Sequence, residues 1–459
     1  MQRVVAIMAG GRGERLWPCS RTGRPKQFLS LGTGPSFLQA AYARIAAMDP
    51  APIVLVLTAE ATVPLVRWQL RDLPAKCLLG EPLSRDTAAT AVLATAMAEA
   101  VCEGPAVVAL IPADHAVFDP DRYRADLDTA LAAAEAFGCP VQLGVPPTRP
   151  ETGYGYIERG KEVDPSRWPA LYTAAQFVEK PGAESAARFL ADGRYLWNSG
   201  VCVCPTQVLL AGLAAAEPGL AELVRAVSGL HPGFLSPVTL ERLMQPVRPV
   251  SLDYALLERA DRVLVVQSTM AWDDMGSWEA MARLHAQDPH GNVSVGNAVL
   301  SGTERSVVYE AEPERLVVTH GVHDLVVVDT PDTLLVADRK SLDWLKDALR
   351  AARSAGYAPH LDTLSATNTN VMPISGGCQA HFPDQDVRII SLLNESVLET
   401  GHVCGDCVRL LWGQAVIENP AGTAVPVTRH PARTVPAGGR IVTNSGCVLA
   451  LAGRVSNGG

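Results

Sequence analysis

The chain has 459 residues, 48% of them apolar and 19% charged, with a formal net charge of −9. That length predicts two or three domains with ample apolar material for their cores. The acidic balance argues against a general nucleic-acid binder, and no apolar run approaches the roughly 20 residues of a membrane-spanning helix.

The first element is the β-branched run "RVVAI", which reads as a buried strand entering "MAGGRGERLWPCSRTGRPKQF", Met8 to Phe28. The apolar stretch there is too short for a signal peptide, and ten cysteines in so long a chain do not form a disulfide framework. A cytoplasmic protein with mostly reduced, buried thiols is expected. Gly10, Gly11 and Gly13 let the backbone approach a ligand closely. No Gly-Lys-Ser/Thr follows at Walker A spacing, and the third glycine of the dinucleotide fingerprint is missing. The loop carries Arg12, Arg15, Arg21, Arg24 and Lys26, stiffened by Pro18 and Pro25. Such a loop suits a polyphosphate; a plain turn with solvated basic residues is the alternative.

From there to about residue 285, strand-like runs such as "PIVLVLT" and "AVVALIPADH" alternate with alanine-rich helical stretches. The alternation predicts an α/β domain with a mostly parallel sheet, whose ligands bind beyond the carboxyl ends of the strands. "AGGRG" and "PADH" both fall there, so they can meet in one cleft. "GEPLSRDTAAT" carries Glu81, whose carboxylate can accept from both N1–H and the 2-amino group of guanine, a pair adenine lacks. Asp114, just past a buried strand, needs a partner for its charge. A divalent cation such as Mg²⁺ supplies one, as does a helix cap. "TGYGYIE" offers close backbone at Gly155, and "FVEKPG" offers Glu179 for a hydroxyl and Lys180 for a phosphate, or else an exposed ion pair. "YLWNSGV" adds the Asn198 amide, completing what a sugar requires. "WDDMGSW" holds a second carboxylate candidate, Asp273 or Asp274, or a charged turn.

Beyond it come short β-rich pieces that read as a small β-domain or β-helix stack. "SLDWLKDALRAARSAG" puts Leu342, Leu345 and Leu349 on one helical face, for packing or for contact with another domain or subunit. A polar linker then leads to a strand-rich C-terminal stretch. The expected divisions are 1–288, 289–358 and 373–459.

Taken together and in this order, these segments resemble the mannose-1-phosphate guanylyltransferases, the GDP-mannose pyrophosphorylases of the sugar-nucleotidyltransferase family, over roughly residues 1–340. "AGGRGERLWPCSRTGRPKQFL" is similar to the signature loop, "EPLSRDTAAT" to the base-binding segment and "IPADH" to the metal segment. "FVEKP", "YLWNSGV" and "WDDMGSW" are similar to the sugar and second metal segments. The resemblance implies a Rossmann-like nucleotidyltransferase domain, GTP and mannose 1-phosphate as substrates and Mg²⁺ as cofactor; from charge and hydropathy no nucleic-acid or membrane partner is expected, and a homo-oligomer is possible. It assigns Gly10, Gly11 and Gly13 to the nucleotide phosphates, Glu81 and Arg85 to nucleotide binding, and Arg15 and Lys26 to the transferring group. Asp114 and Asp274 would hold Mg²⁺, Asp274 because the family's aspartate lies two before the glycine, here Gly276. Lys180 would hold the sugar phosphate, and Gly155, Glu179 and Asn198 the mannose. A transferase for another hexose 1-phosphate or base, or a non-catalytic regulatory paralogue, are the rivals. Longer members of the family add a cupin-type phosphomannose isomerase. Here "GHVCGDCVRL" and "VPAGGRIV" keep His402 alone, which predicts a degenerate cupin-like domain without isomerase activity. Cys404-x-x-Cys407 with Cys378 and Cys447 has spacing suited to zinc, but the partners are solitary and buried thiols are expected.

Overall fold

A computed structural model describes residues 1–11, 13–30, 34–311 and 315–362, together with the backbone of the strands between 370 and 452. Contacts within the chain divide it into two units. One comprises Met1–Gly11, Thr33–Glu60 and Leu73–Gly276; the other comprises Arg12–Gly32, Ala61–Asp72 and Ser277–Gly459.

The first unit is built on β1 (Gln2–Ala9), β2 (Ile53–Ala59), β3 (Leu78–Glu81) and β4 (Ala106–Pro112), followed by the short β5 (Ala116–Val117). Then come β6 (Val141–Val145), β7 (Tyr156–Glu162), β8 (Leu171–Val178), β9 (Tyr195–Pro205), β10 (Leu264–Gln267) and the short β11 (Trp272–Asp273). Nine strands form one sheet in the order β3-β2-β1-β4-β9-β6-β10-β8-β7. Val4 to Ile7 are fully buried, as are Ala106 to Ile111, the continuous apolar runs of strands covered on both faces. The helix Asp86–Cys102 is correspondingly apolar all round, with Ala88, Val92, Leu93 and Met97 buried. The helix Pro120–Phe137 starts where the Asp119 side chain accepts from the Arg122 amide at 2.9 Å and ends at Gly138, whose φ of 62° closes it in the left-handed conformation.

The strand pairings give β1, β2, β3, β4, β6, β7 and β10 one direction and β8 and β9 the other, so the sheet is mixed rather than mostly parallel: the reversed β8 and β9 make four of its eight neighbouring pairs antiparallel. The eleven-residue β9 is antiparallel to β4, β6 and β7 in turn. Because β1, β3 and β4 share a direction, their carboxyl ends lie on one edge, and Gly10, Glu81 and Asp114 sit at those ends. Apart from the sheet, β5 and β11 form a two-stranded antiparallel ribbon in which Val117 pairs with Trp272 and Ala116 with Asp273.

In the second unit, β12 (Val293–Val295), β13 (Ala298–Ser301), β14 (Val307–Glu310), β15 (Val317–His320), β16 (Leu325–Asp329) and β17 (Leu334–Asp338) build the expected stack. β12, β14 and β16 pair in parallel, β13 pairs in parallel with β15, and β17 folds back antiparallel on β16. Buried Asn292 joins successive coils: its amide donates to the Thr303 carbonyl at 2.7 Å and accepts from the Ser306 amide at 2.9 Å. The helix Leu345–Ser354 follows, with Leu345 buried. Residues 13–30 of this unit hold two 3-10 turns, Glu14–Leu16 and Lys26–Phe28. Between 370 and 452 the strands form a six-stranded and a four-stranded antiparallel sheet. His402 and the side chains of Cys378, Cys404, Cys407 and Cys447 lie outside the described residues, and with them the isomerase and zinc readings. No helix among the described residues is long and apolar enough to cross a membrane.

Candidate active site

At the carboxyl end of β3, Glu81 is 9% exposed, and its Oε1 accepts from the Thr90 hydroxyl at 2.8 Å. Burial pushes its carboxyl up to about 7, against the lowering effect of the Thr90 hydrogen bond. Its second oxygen faces Gly10, where an added Cβ would stand 3.6 Å away, and Gly10 and Gly11 are both exposed. A carboxylate, a bare backbone and an open edge are thus together. Arg85 is otherwise engaged: its Nε donates to the Met244 carbonyl at 3.2 Å and its Nη2 to that of Gln245 at 3.4 Å. It pins the turn after the helix Pro237–Met244.

The β5–β11 ribbon brings the two carboxylate segments together. Its Ala116–Asp273 pair lies two residues from Asp114 and one from Asp274, so the two carboxylates stand on adjoining segments. His115 Nε2 lies 4.0 Å from Asp114 Oδ1, and its Nδ1 accepts from Trp272 Nε1 at 3.2 Å. The two neighbouring aspartates have different surroundings. Asp273 is 3% exposed and accepts from the Met275 amide at 2.9 Å, the Tyr154 hydroxyl at 3.4 Å and Arg149 Nη2 at 3.4 Å. Asp274 is half-buried, and its Oδ1 accepts from the Tyr154 hydroxyl at 2.7 Å and the Gly276 amide at 2.8 Å. An added Cβ at Gly276 would come within 2.7 Å of Asp274 Oδ2, so a larger residue there displaces that carboxylate. Burial first, and then the two carboxylates, push the Tyr154 phenol well up, so it stays a donor. Among the described residues no three histidine, cysteine or acidic side chains cluster to form an all-protein metal cage. A cation that keeps water and phosphate ligands needs only one or two protein carboxylates.

Tyr154 leads into the third group. An added Cβ at Gly155 would stand 2.7 Å from Glu179 Oε2 and 3.4 Å from Asn198 Cβ, and the Gly155 carbonyl accepts from the Asn198 amide at 2.8 Å. Lys180, at a φ of 45°, donates to Glu179 Oε1 at 2.7 Å, with the lysine exposed and the glutamate half-buried. Asn198 Nδ2 donates to Asp253 Oδ1 at 2.7 Å, and its Oδ1 accepts from the Gly200 amide at 3.0 Å. Sequence reasoning missed Asp253, which stands in the plain segment "SLDYALL". Its carboxyl is raised by burial and by the nearby Glu179 charge. Backbone, amide, cation and two carboxyls here make a polar recess able to read hydroxyl groups.

In the second unit the residues of the basic loop have unequal surroundings. Gly13 has a φ of 62°; an added Cβ would overlap the Lys26 Cβ and stand 3.0 Å from its backbone nitrogen. Glycine is needed there for both conformation and space. Lys26 is buried and Arg15 exposed. Arg21 is 2% exposed; its Nε donates to the Pro18 carbonyl at 2.5 Å and its Nη2 pairs with Asp332 at 2.8 Å. Arg12 lies outside the described residues.

A family model described as nucleotidyl transferase matches residues 4–291, and one described as a MannoseP isomerase/GMP-like beta-helix domain matches residues 296–346. The mannose-1-phosphate guanylyltransferase of Escherichia coli strain K12 is 35% identical over 359 residues, 77% of this chain and 74% of its own length. Mannose-1-phosphate guanylyltransferase ManC of Salmonella typhimurium strain LT2 is 36% identical over 360 residues, again 77% and 74% of the two chains. Among solved structures, one described as a mannose-1-phosphate geranyltransferase from Thermus thermophilus superposes with a TM-score of 0.69 at 36% identity, covering 77% of this chain and all of that one.

Proposed function

The chain belongs to the nucleotidyl transferase family, among its mannose-1-phosphate guanylyltransferases, and on that premise we propose that it joins GTP and mannose 1-phosphate to give GDP-mannose and pyrophosphate. The observation that carries this reading is the sharing of Tyr154-Gly155 between two groups. Tyr154 holds Asp274, and the next residue makes the floor of the Glu179–Asn198 recess.

In this reaction a phosphate oxygen of mannose 1-phosphate forms a bond to the α-phosphorus of GTP. The bond from that phosphorus to the bridging oxygen breaks, and pyrophosphate leaves with the electron pair. The protein need supply no nucleophile; it positions two anions and neutralises charge. Glu81 would accept from guanine, Gly10, Gly11 and Gly13 would admit the phosphates, and Arg15 and Lys26 would stabilise charge on the transferring group. Glu179, Asn198 and Gly155 would hold the mannose and Lys180 its phosphate. Asp114 and Asp274 fit a divalent cation, which we take to be Mg²⁺ from the all-oxygen donors; bound there, it would draw the phosphates together and offset their charge. Arg85, committed to backbone carbonyls, would act on nucleotide binding only through the segment it anchors. Cys19, Cys102, Cys139, Cys202 and Cys204 are free thiols, which suits the cytoplasm.

The test is pyrophosphate release from the purified protein with GTP, mannose 1-phosphate and Mg²⁺, beside ATP and glucose 1-phosphate controls and the Asp114→Ala variant. Release specific to the first pair and lost in the variant is expected. Release with another sugar or base would reassign the substrate, and no release from a folded protein that binds GDP-mannose would make it a binding paralogue.

A further inference from the structure

The segment that carries Arg15 and Lys26 follows β1 in the chain but packs within the second unit. Its own bonds account for part of its shape. The Leu16 amide and the Ser20 hydroxyl donate to the Gly13 carbonyl at 3.1 and 2.7 Å, and two reciprocal backbone bonds of 3.0 Å join Arg21 and Arg24 in a turn. With only two 3-10 turns, and glycines at 13 and 23, it has little regular structure to hold it in one conformation.

Groups from elsewhere in the same unit supply what is missing, spread along the length of the segment. Trp278 Nε1 donates to the Trp17 carbonyl at 2.8 Å. Arg21, its side chain fully buried, pairs with the nearly buried Asp332 at 2.8 Å and donates to the Thr333 hydroxyl at 3.3 Å. At the turn, the Gly23 amide donates to the Asp362 carbonyl at 3.0 Å and the Thr22 hydroxyl to its carboxylate at 2.8 Å. Asp362 is itself fixed by two bonds of 2.9 Å from Arg353. Past Lys26, Gln69 Nε2 donates to the Phe28 carbonyl at 3.0 Å. Lys26 thus lies between the anchored Gly23 and Phe28, and Arg15 between Gly13 and the anchored Trp17.

We propose that Trp278, Asp332 and Asp362 are positioning residues for the transfer: they hold residues 13–28 in one conformation, so that Arg15 and Lys26 are set before substrate arrives. This rests on the assignment of those two cations in the proposed reaction. Charge on a transferring group is stabilised best by groups that need no rearrangement as it develops, and a misplacement of about 1 Å can cost a factor of about a hundred. The three residues come from the start of the helix Trp278–Leu284, the turn between β16 and β17, and the helix Ala358–Asp362. The β-helix stack and its flanking helices therefore serve the reaction through the loop they fix.

The test compares wild type with Asp332→Asn, Asp362→Ala and Arg305→Ala, the last breaking an exposed ion pair with Asp324 inside the β-helix stack. Pyrophosphate release is measured beside hydrogen exchange of peptides covering residues 13–28. Titration with GDP-mannose counts the folded sites, so that kcat is expressed per site. Asp332→Asn and Asp362→Ala should speed exchange of that segment and lower kcat per site about tenfold or more, with KM for mannose 1-phosphate unchanged. Arg305→Ala should match wild type. Asp362 is partly exposed, so its variant decides the matter if the buried Asp332 pair proves necessary for folding. Faster exchange with undiminished kcat per site, unchanged exchange in both variants, or a rate loss explained wholly by fewer sites would each overturn the proposal. A wild-type protein that releases no pyrophosphate would overturn the proposed reaction and this positioning with it, a result distinct from an active wild type with unaffected variants.

Discussion

If Glu81 reads guanine, its raised carboxyl makes nucleotide affinity depend on pH in a calculable way. The base offers two N–H donors, which only the ionised carboxylate can accept together. With the carboxyl at about 7 in the free protein, about one molecule in ten is ionised at pH 6 and about nine in ten at pH 8. The affinity for GDP should therefore be about tenfold weaker at pH 6 than at pH 8, with nearly one proton released on binding at the lower pH. Calorimetry in two buffers of different ionisation enthalpy measures both quantities. GDP's own phosphate titrates in the same range, so Glu81→Gln is the control: its affinity should be lower, and the pH dependence left in it is that of the ligand. An affinity ratio between wild type and variant that stays constant from pH 6 to pH 8 would refute the assignment. The same shift bears on folding. The folded group holds its proton above its ordinary 4.5, so the unfolded chain ionises first, and stability declines as pH rises through the window from 4.5 to about 7. The shift corresponds to about 3 kcal/mol. Glu81→Gln should remove that decline, which urea unfolding at pH 5 and pH 8 would show.

Gly13→Ala should cost about 1–3 kcal/mol in chemical denaturation and lower kcat, because the new methyl group meets Lys26 at a φ of 62°. Gly276→Ala pushes on the Asp274 carboxylate, so the Mg²⁺ concentration for half-maximal pyrophosphate release should rise roughly tenfold while the melting temperature changes little. An unchanged metal requirement would remove Asp274 from the metal site. Asp253→Ala leaves Asn198 Nδ2 without its acceptor, so KM for mannose 1-phosphate should rise about tenfold with KM for GTP unchanged; equal sugar KM values in variant and wild type would contradict its placement.

Composition and periodicity carried the architecture because buried parallel strands and alanine-rich helices write distinct patterns. The reversal of β8 and β9 was not legible, since an apolar strand reads the same in either direction. At the site, glycines and acids could be named from sequence, but the cations of the basic loop could not be told apart. Only the fold shows Arg21 buried against Asp332, Lys26 buried beside Gly13, and Arg15 exposed. Asp273 and Asp274 are chemically identical neighbours; their difference arises from Arg149 and Tyr154, more than a hundred residues away in the chain. Asp253 carried no local signal at all, because its meaning depends on Asn198 coming within 2.7 Å.

The burial of Arg21 against Asp332 limits how this protein can be divided. The glycine-rich segment stands at the start of the chain, but Asp332 stands over three hundred residues later, and Trp278 closes on the Trp17 carbonyl at 2.8 Å in the same unit. A gene fragment ending near residue 288 would encode the whole sheet and every acidic residue of the site, yet leave a desolvated guanidinium without its counter-ion. A hybrid with a relative lacking either partner would break this pair, so the N-terminal loop and the β-helix stack, far apart in the gene, behave as one piece in the fold.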